Sequence, residues 1–194
     1  QPSPEMRAQS PPADAEPLPE HVLVNRDYWN ERAHEWVEAG ERNWGGEVRW
    51  GVWGLPEDQV GMLPADMRGM DAVELGCGTG YGSAWMARRG ARVTGVDVSF
   101  EQLATARRLD ARHGLGIKWV EASAEAVPCP AGSFDFALSE YGAAIWCDPY
   151  RWIPEARRLL RPGGRLVFLC NSVWAVVCSP VDGSLPVTRR LERP

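Results

Sequence analysis

The sequence predicts an α/β fold: a doubly wound, mostly parallel sheet with helices on both faces. Three observations carry that expectation. From residue 72 onward, short apolar runs alternate with helical segments, the pattern of strand–helix–strand crossovers in one sheet. The first run, Ala72-Val73-Glu74-Leu75, passes directly into Gly76-Cys77-Gly78-Thr79-Gly80, with glycines at every second position. The second, Ala91 to Val96, closes on the carboxylate of Asp97. In such sheets a ligand sits in the crevice outside the carboxyl ends of the strands.

Residues 1–20 are rich in Pro, Ala and Glu and lack aromatics, so they bury too little apolar surface to offset their ordering entropy; a disordered tail is expected. Residues 21–66 form a helical, aromatic region. Within it Asn25 to about Gly40 reads as one amphipathic helix, because Tyr28, Trp29, Arg32 and Trp36 recur at three- and four-residue steps. Such a stripe is either packing or a lid over a ligand. The core spans 67–171, with strand 72–75, helix 80–89, strand 91–96, helix 99–113, strand 116–120, strand 134–139, helix 149–161 and strand 164–170. The restriction on the residue before a proline ends the last helix ahead of Pro162, and Gly163-Gly164 supply a turn into the final strand. Residues 172–194 include Pro180, Gly183 and Pro186 and have no room for a helix and two strands of ordinary length.

At 194 residues the chain is long enough for one well-buried domain. A net charge of −5 disfavours a nucleic-acid footprint, which needs a clustered basic face. No window approaches the roughly 20 apolar residues of a membrane span, and the N-terminal residues lack the apolar core of a signal peptide. Cys77, Cys129, Cys147, Cys170 and Cys178 are scattered, with no Cys-x-x-Cys pair; no metal site is expected, and a reducing cytoplasm is.

Glycines at a strand-to-helix turn let the backbone approach a ligand closely and aim free N–H groups at it. The dinucleotide spacing Gly-x-Gly-x-x-Gly fails here: counted from Gly76 it meets Tyr81, and counted from Gly78 it meets Ser83. The pattern present is Glu-x-Gly-x-Gly-x-Gly. With Asp97, the segment Glu121 to Ser139 and the Leu-Arg-Pro-Gly-Gly turn before the last strand, four ordered motifs across about half the chain resemble the class I S-adenosylmethionine-dependent methyltransferases.

The resemblance implies a Rossmann-like sheet, S-adenosylmethionine as cofactor and methyl transfer; the aromatic N-terminal region points to a small-molecule acceptor, and charge and hydropathy to no nucleic acid or membrane as partner. It gives Gly76, Cys77, Gly78 and Gly80 the cofactor loop, and Glu74 the amino end of the cofactor's methionine; a helix-dipole role is the other reading of Glu74. Asp97 would accept hydrogen bonds from the ribose hydroxyls, or else cap the helix starting near Ser99. Ser123 stands where the family usually has an acid facing adenine, so there the backbone of Ala124 carries the contact. Val98, Gln102 and Ser139 complete the pocket, and Tyr28 is the candidate for a lid contact with the methionine end. Glu140 and Tyr141 are candidate bases or orienting groups, or turn and packing residues; His34 is a third candidate base or a plain surface residue.

The family's sheet has seven strands, the last two antiparallel, whereas about five are placed here. The sheet is expected to lack those C-terminal strands and to show an exposed edge open to self-association. Two other classes remain. An NAD(P)-linked oxidoreductase would share Asp97 and the glycine loop but not Tyr81 or the Leu-Arg-Pro-Gly-Gly turn. A cofactor-binding protein without catalysis would share all of them.

Overall fold

The computed structural model describes residues 17–172. In chain order these form α1 (Glu20–Arg32), a 3-10 turn (Ala33–Trp36), α2 (Val37–Gly45), a small antiparallel hairpin of β1 (Arg49–Trp50) and β2 (Leu55–Pro56), and α3 (Glu57–Val60). The core follows as β3 (Asp71–Leu75), α4 (Tyr81–Arg88), β4 (Arg92–Asp97), α5 (Phe100–His113), β5 (Lys118–Glu121), β6 (Phe134–Glu140), α6 (Ala143–Trp146), α7 (Pro149–Leu159) and β7 (Leu160–Leu169).

The main sheet has the order β5-β4-β3-β6-β7, and every pairing in it is parallel. The chain starts at the centre, moves outward through β4 and β5, then returns to the other side of β3 for β6 and β7. That reversal puts the crevice between the carboxyl ends of β3 and its two neighbours. Side-chain alternation along β3 divides the core in two. Val73 and Leu75 pack with Trp152, Ala156 and Leu159 of α7, while Ala72 joins Trp85 and Met86 of α4 on the opposite face. Each large apolar side chain fully buried in this way contributes about 1.5–3 kcal/mol. Glu74 shares a face with Ala72 by the same alternation, which aims a carboxylate at the start of α4.

The N-terminal region departs from the single helix expected over 25–40. It is helical from Glu20, tightens to a 3-10 turn at Ala33–Trp36, and resumes as α2 to Gly45. The last core helix ends at Leu159, not 161, and Pro162-Gly163-Gly164 lies inside β7. The register jumps from Phe134↔Leu160 to Phe136↔Arg165, so Arg161 to Gly164 bulge opposite Asp135. Proline has no N–H for the ladder and Gly163 has φ +83°, which is why the irregularity falls there.

β5 and β7 are the edges of the main sheet among the described residues, and Phe168 on β7 is 45% exposed. The expected tail lies outside the described residues apart from 17–20, and the segment 172–194 does so apart from Ser172. No helix among the described residues is long and apolar enough to cross a membrane.

Candidate functional site

The glycine loop turns back on the sheet: the amides of Gly76 and Cys77 both donate to the Val96 carbonyl at 2.9 Å. Gly76, Gly78 and Gly80 all have left-handed backbones, with φ of +74°, +52° and +79°. A Cβ on Gly76 would stand 2.6 Å from the Ala143 amide nitrogen, and one on Gly142 would stand 2.1 Å from the Gly76 carbonyl oxygen. The loops after β3 and β6 are therefore pressed backbone to backbone. Gly80 faces away from the crevice; a Cβ there would meet the Trp119 ring at 2.4 Å.

Three carboxyl side chains face one cavity at the carboxyl ends of β3, β4 and β6: Glu74 and Glu140 are buried and Asp97 is half-buried. Glu74 accepts from the amide and the hydroxyl of Ser83, both at 2.6 Å, so it is anchored on the first turn of α4. Gly82 makes the approach possible, since a Cβ there would lie 2.4 Å from Glu74 Oε1. Burial pushes the Glu74 carboxyl up to about 8; its Ser83 bonds oppose the shift, and the charges of Glu140 and Asp97 add to it. Asp97 accepts from the Gly78 amide at 2.7 Å and the Ser99 amide at 2.8 Å, and burial raises its pKa against those bonds. The helix cap that Asp97 might have supplied belongs to Ser99, whose hydroxyl accepts from the Gln102 amide at 3.2 Å. Glu140 accepts from the Tyr81 hydroxyl and, at 2.9 Å, from the Gly51 amide; its pKa too is raised by burial.

The opposite wall comes from α1, the 3-10 turn and α6. Trp29, Trp36 and Trp146 line the cavity, with Trp29 edge-on to Trp146 at 5.1 Å between centroids and to Trp36 at 5.8 Å. Three side-chain ties hold α1 across the strand ends. Asn25 donates to the Trp146 carbonyl at 2.7 Å, Ser99 donates to Asn30 Oδ1 at 2.7 Å, and His21 pairs with Glu125 at 2.8 Å.

Of the residues singled out from sequence, Glu74, Gly76, Cys77, Gly78, Asp97, Val98, Gln102, Ser123, Ala124, Glu140 and Tyr141 line this cavity together. Tyr141 is the single non-glycine residue with positive φ (+51°) among the described residues. Four expectations are corrected. Gly80 serves helix–sheet packing against Trp119. Ser139 is fully buried beneath the floor, donating to the Leu75 carbonyl at 2.9 Å. Tyr28 stacks on Trp146 at 5.6 Å and is 40% exposed, and its neighbour on α1, Trp29, lines the cavity instead. His34 is an exposed residue whose Nδ1 donates to the Glu31 carbonyl at 3.1 Å.

Sequence reasoning missed the inward roles of Tyr81 and Trp146. Tyr81 was noticed only as a residue that spoils a glycine pattern, yet as the first residue of α4 it faces β6. Trp146 ends the segment after β6, and its place became visible only through the one-turn helix α6. Among the described residues no group of three or more His, Cys, Asp or Glu side chains is arranged to hold a metal.

The comparisons with known proteins agree with this geometry. Residues 73–168 match the family model described as "Methyltransferase domain". A demethylmenaquinone methyltransferase of Thermus thermophilus is 38% identical over 99 residues, which are 50% of this chain and 45% of that protein. A fatty-acid O-methyltransferase of Mycolicibacterium smegmatis is 33% identical over 107 residues, 54% of this chain and 38% of that protein. The solved structure of an S-adenosylmethionine-dependent methyltransferase from Mesorhizobium loti is 35% identical with a TM-score of 0.52, covering 61% of this chain and 55% of that one. The chain thus spans less than half the length of the two named relatives. Its five-stranded parallel core, residues 73–168 included, is a methyltransferase domain of the class I S-adenosylmethionine-dependent family.

Proposed function

We propose that this chain transfers a methyl group from S-adenosylmethionine to a hydroxyl of a small-molecule acceptor. The observation that carries the reading is a single cavity. One wall is the glycine loop with Glu74 and Asp97, the other is aromatic, and Glu140 stands between them. The residues present fit the cofactor. Gln102 Oε1 is buried with no hydrogen-bond partner in the protein and faces the loop at Gly78, a lone acceptor suited to a ligand donor. Asp97 and Glu140, with no lining Arg, Lys or His among the described residues, suit a ligand that brings positive charge.

In this reading Asp97 accepts from the ribose hydroxyls while the Gly78 and Ser99 amides hold it in place. Glu74 faces the amino end of the methionine, and Ser123 and Ala124 flank the adenine. When bound, the cofactor supplies a methyl group on a sulfonium whose departure leaves a neutral thioether, so no leaving group needs a proton. The protein's work is alignment in a dry pocket, plus removal of the acceptor's proton. Glu140 takes that proton; its raised pKa brings it nearer neutrality, and the Tyr81 hydroxyl and Gly51 amide fix its direction. Trp29, Trp36 and Trp146 exclude water and seat the acceptor. The relatives named for demethylmenaquinone and fatty acids lend support to a small acceptor here.

The test is a transfer assay with methyl-labelled S-adenosylmethionine and a panel of hydroxyl acceptors. Glu140→Gln is expected to lower kcat by roughly 100-fold while leaving cofactor affinity close to normal. Turnover at the wild-type rate in that variant would remove Glu140 from the chemistry.

A further inference from the structure

We infer that the acceptor is uncharged: an apolar, aromatic alcohol or phenol without a carboxylate, sulfate or phosphate group. The inference rests on the reading of the cavity as a methyltransferase site and adds the class of molecule it admits. Its basis is the charge inventory of the walls. Glu74, Asp97 and Glu140 all line the cavity, and among the described residues no Arg, Lys or His does.

The basic groups nearest the cover are committed elsewhere. Arg32 lies over the outer ring of Tyr28, 5.2 Å from its centroid, and bonds Glu35 at 3.3 Å. His21 pairs with Glu125 at 2.8 Å, and Arg151 reaches the other oxygen of the same carboxylate at 3.3 Å. An anionic acceptor would leave water for a space that holds Asp97 and Glu140 and, among the described residues, no cation of the protein to receive it. Desolvating a charge without a partner is among the costliest things a binding site can do. Glu140 remains on the acceptor's side of the cavity.

The walls also say what would bind well. Trp29 and Trp146 stand perpendicular to each other, with interplanar angles near a right angle (85°), so each presents a face or an edge to a flat guest. The polar group available to such a guest is the Glu140 carboxylate, which accepts from a hydroxyl. An uncharged phenol meets both conditions: it donates to Glu140 through its hydroxyl and lays its ring against Trp29 and Trp146.

The experiment uses the full chain saturated with S-adenosylhomocysteine and compares ethyl protocatechuate with protocatechuate, which differ by one negative charge. Tryptophan emission and calorimetry follow the binding. The ester is expected to bind at least about tenfold more tightly than the acid, a difference of about 1.4 kcal/mol or more. Glu140→Gln, which keeps the shape and removes one like charge, is expected to tighten the acid more than the ester. Should that variant fail to fold, the acid–ester ratio measured on the unaltered chain across rising salt serves instead, and it should shrink. Equal or tighter binding of the acid overturns the inference, and so does binding of neither compound to protein that has bound S-adenosylhomocysteine. Failure of S-adenosylhomocysteine itself to bind would overturn the underlying cofactor reading, a distinct result.

Discussion

The cradle and its cover are built by different means. The cradle is backbone work: parallel ladders join β3 to β4 and β6, Gly76 and Cys77 donate to the Val96 carbonyl, and Gly142 lies against Gly76 with no room for a side chain. The cover is attached through side chains, by Asn25, Asn30 and His21 and by tryptophan rings resting on one another. Backbone apposition is strict and admits few residues. Side-chain ties are individually small and exchangeable. The contrast teaches where rigidity is placed: on the proposed reading the part that faces the cofactor is held by backbone contacts, and the part that faces the acceptor by side chains.

The largest expected effect comes from breaking the cradle at its tightest point. Gly142→Ala forces the loops after β3 and β6 apart and is expected to lower stability by about 3 kcal/mol or more, read from urea denaturation. A loss below about 1 kcal/mol would mean that the apposition is soft. Next, Asp97→Ala removes a carboxylate but no backbone, and should weaken S-adenosylmethionine binding by about 1–3 kcal/mol in a calorimetric titration. Unchanged affinity would strike Asp97 from the site.

The third test is pH. The Glu74 carboxyl is raised to about 8 in the folded chain, from an ordinary value of 4.5. Between these values the folded state holds a proton that the unfolded state has released. The stability that Glu74 contributes is therefore greatest below about 4.5, falls as pH rises, and is lost above about 8. The slope attributable to Glu74 is at most about 1.4 kcal/mol per pH unit. Comparing denaturation of the unaltered chain with Glu74→Gln between these limits isolates it, and an identical slope in both would contradict the buried, protonated carboxyl.

The smallest effect belongs to the cover. Asn30→Ala deletes the acceptor of the Ser99 hydroxyl, so it should change stability by less than about 1 kcal/mol while speeding cofactor release several-fold in stopped-flow fluorescence. If Asn30→Ala were as damaging as Gly142→Ala, the distinction between cradle and cover would fail.

The same distinction explains what was legible in the sequence. The cradle is written in residues whose backbone demands are local: glycines at alternate positions, carboxylates closing strands, Ser99 capping a helix. Those signals brought Glu74, Gly76, Gly78, Asp97 and Gln102 to one cavity. Gly80 shows the limit, since a glycine that admits a ligand and one that admits Trp119 look alike in one dimension. The cover was read less well, because helical periodicity tells that aromatics share a face but not where the helix breaks. Nor does it tell which flank docks: Tyr28 and Trp29 are neighbours on α1, ahead of the 3-10 turn at Ala33–Trp36, and only the seating of α1 on the strand ends puts Trp29 rather than Tyr28 in the cavity wall. Tyr81 and Glu140 are 59 positions apart in the chain, and their hydrogen bond follows only from the pairing of β3 with β6.

The central claim, that this cavity is built for S-adenosylmethionine, is tested most directly by titrating the full chain with that cofactor and, separately, with NADH while following tryptophan emission. Trp29, Trp36 and Trp146 line the cavity and report on its occupation. Saturable binding of S-adenosylmethionine with a change in emission, and none with NADH, is the expected result. Saturable binding of NADH without binding of S-adenosylmethionine would contradict the account.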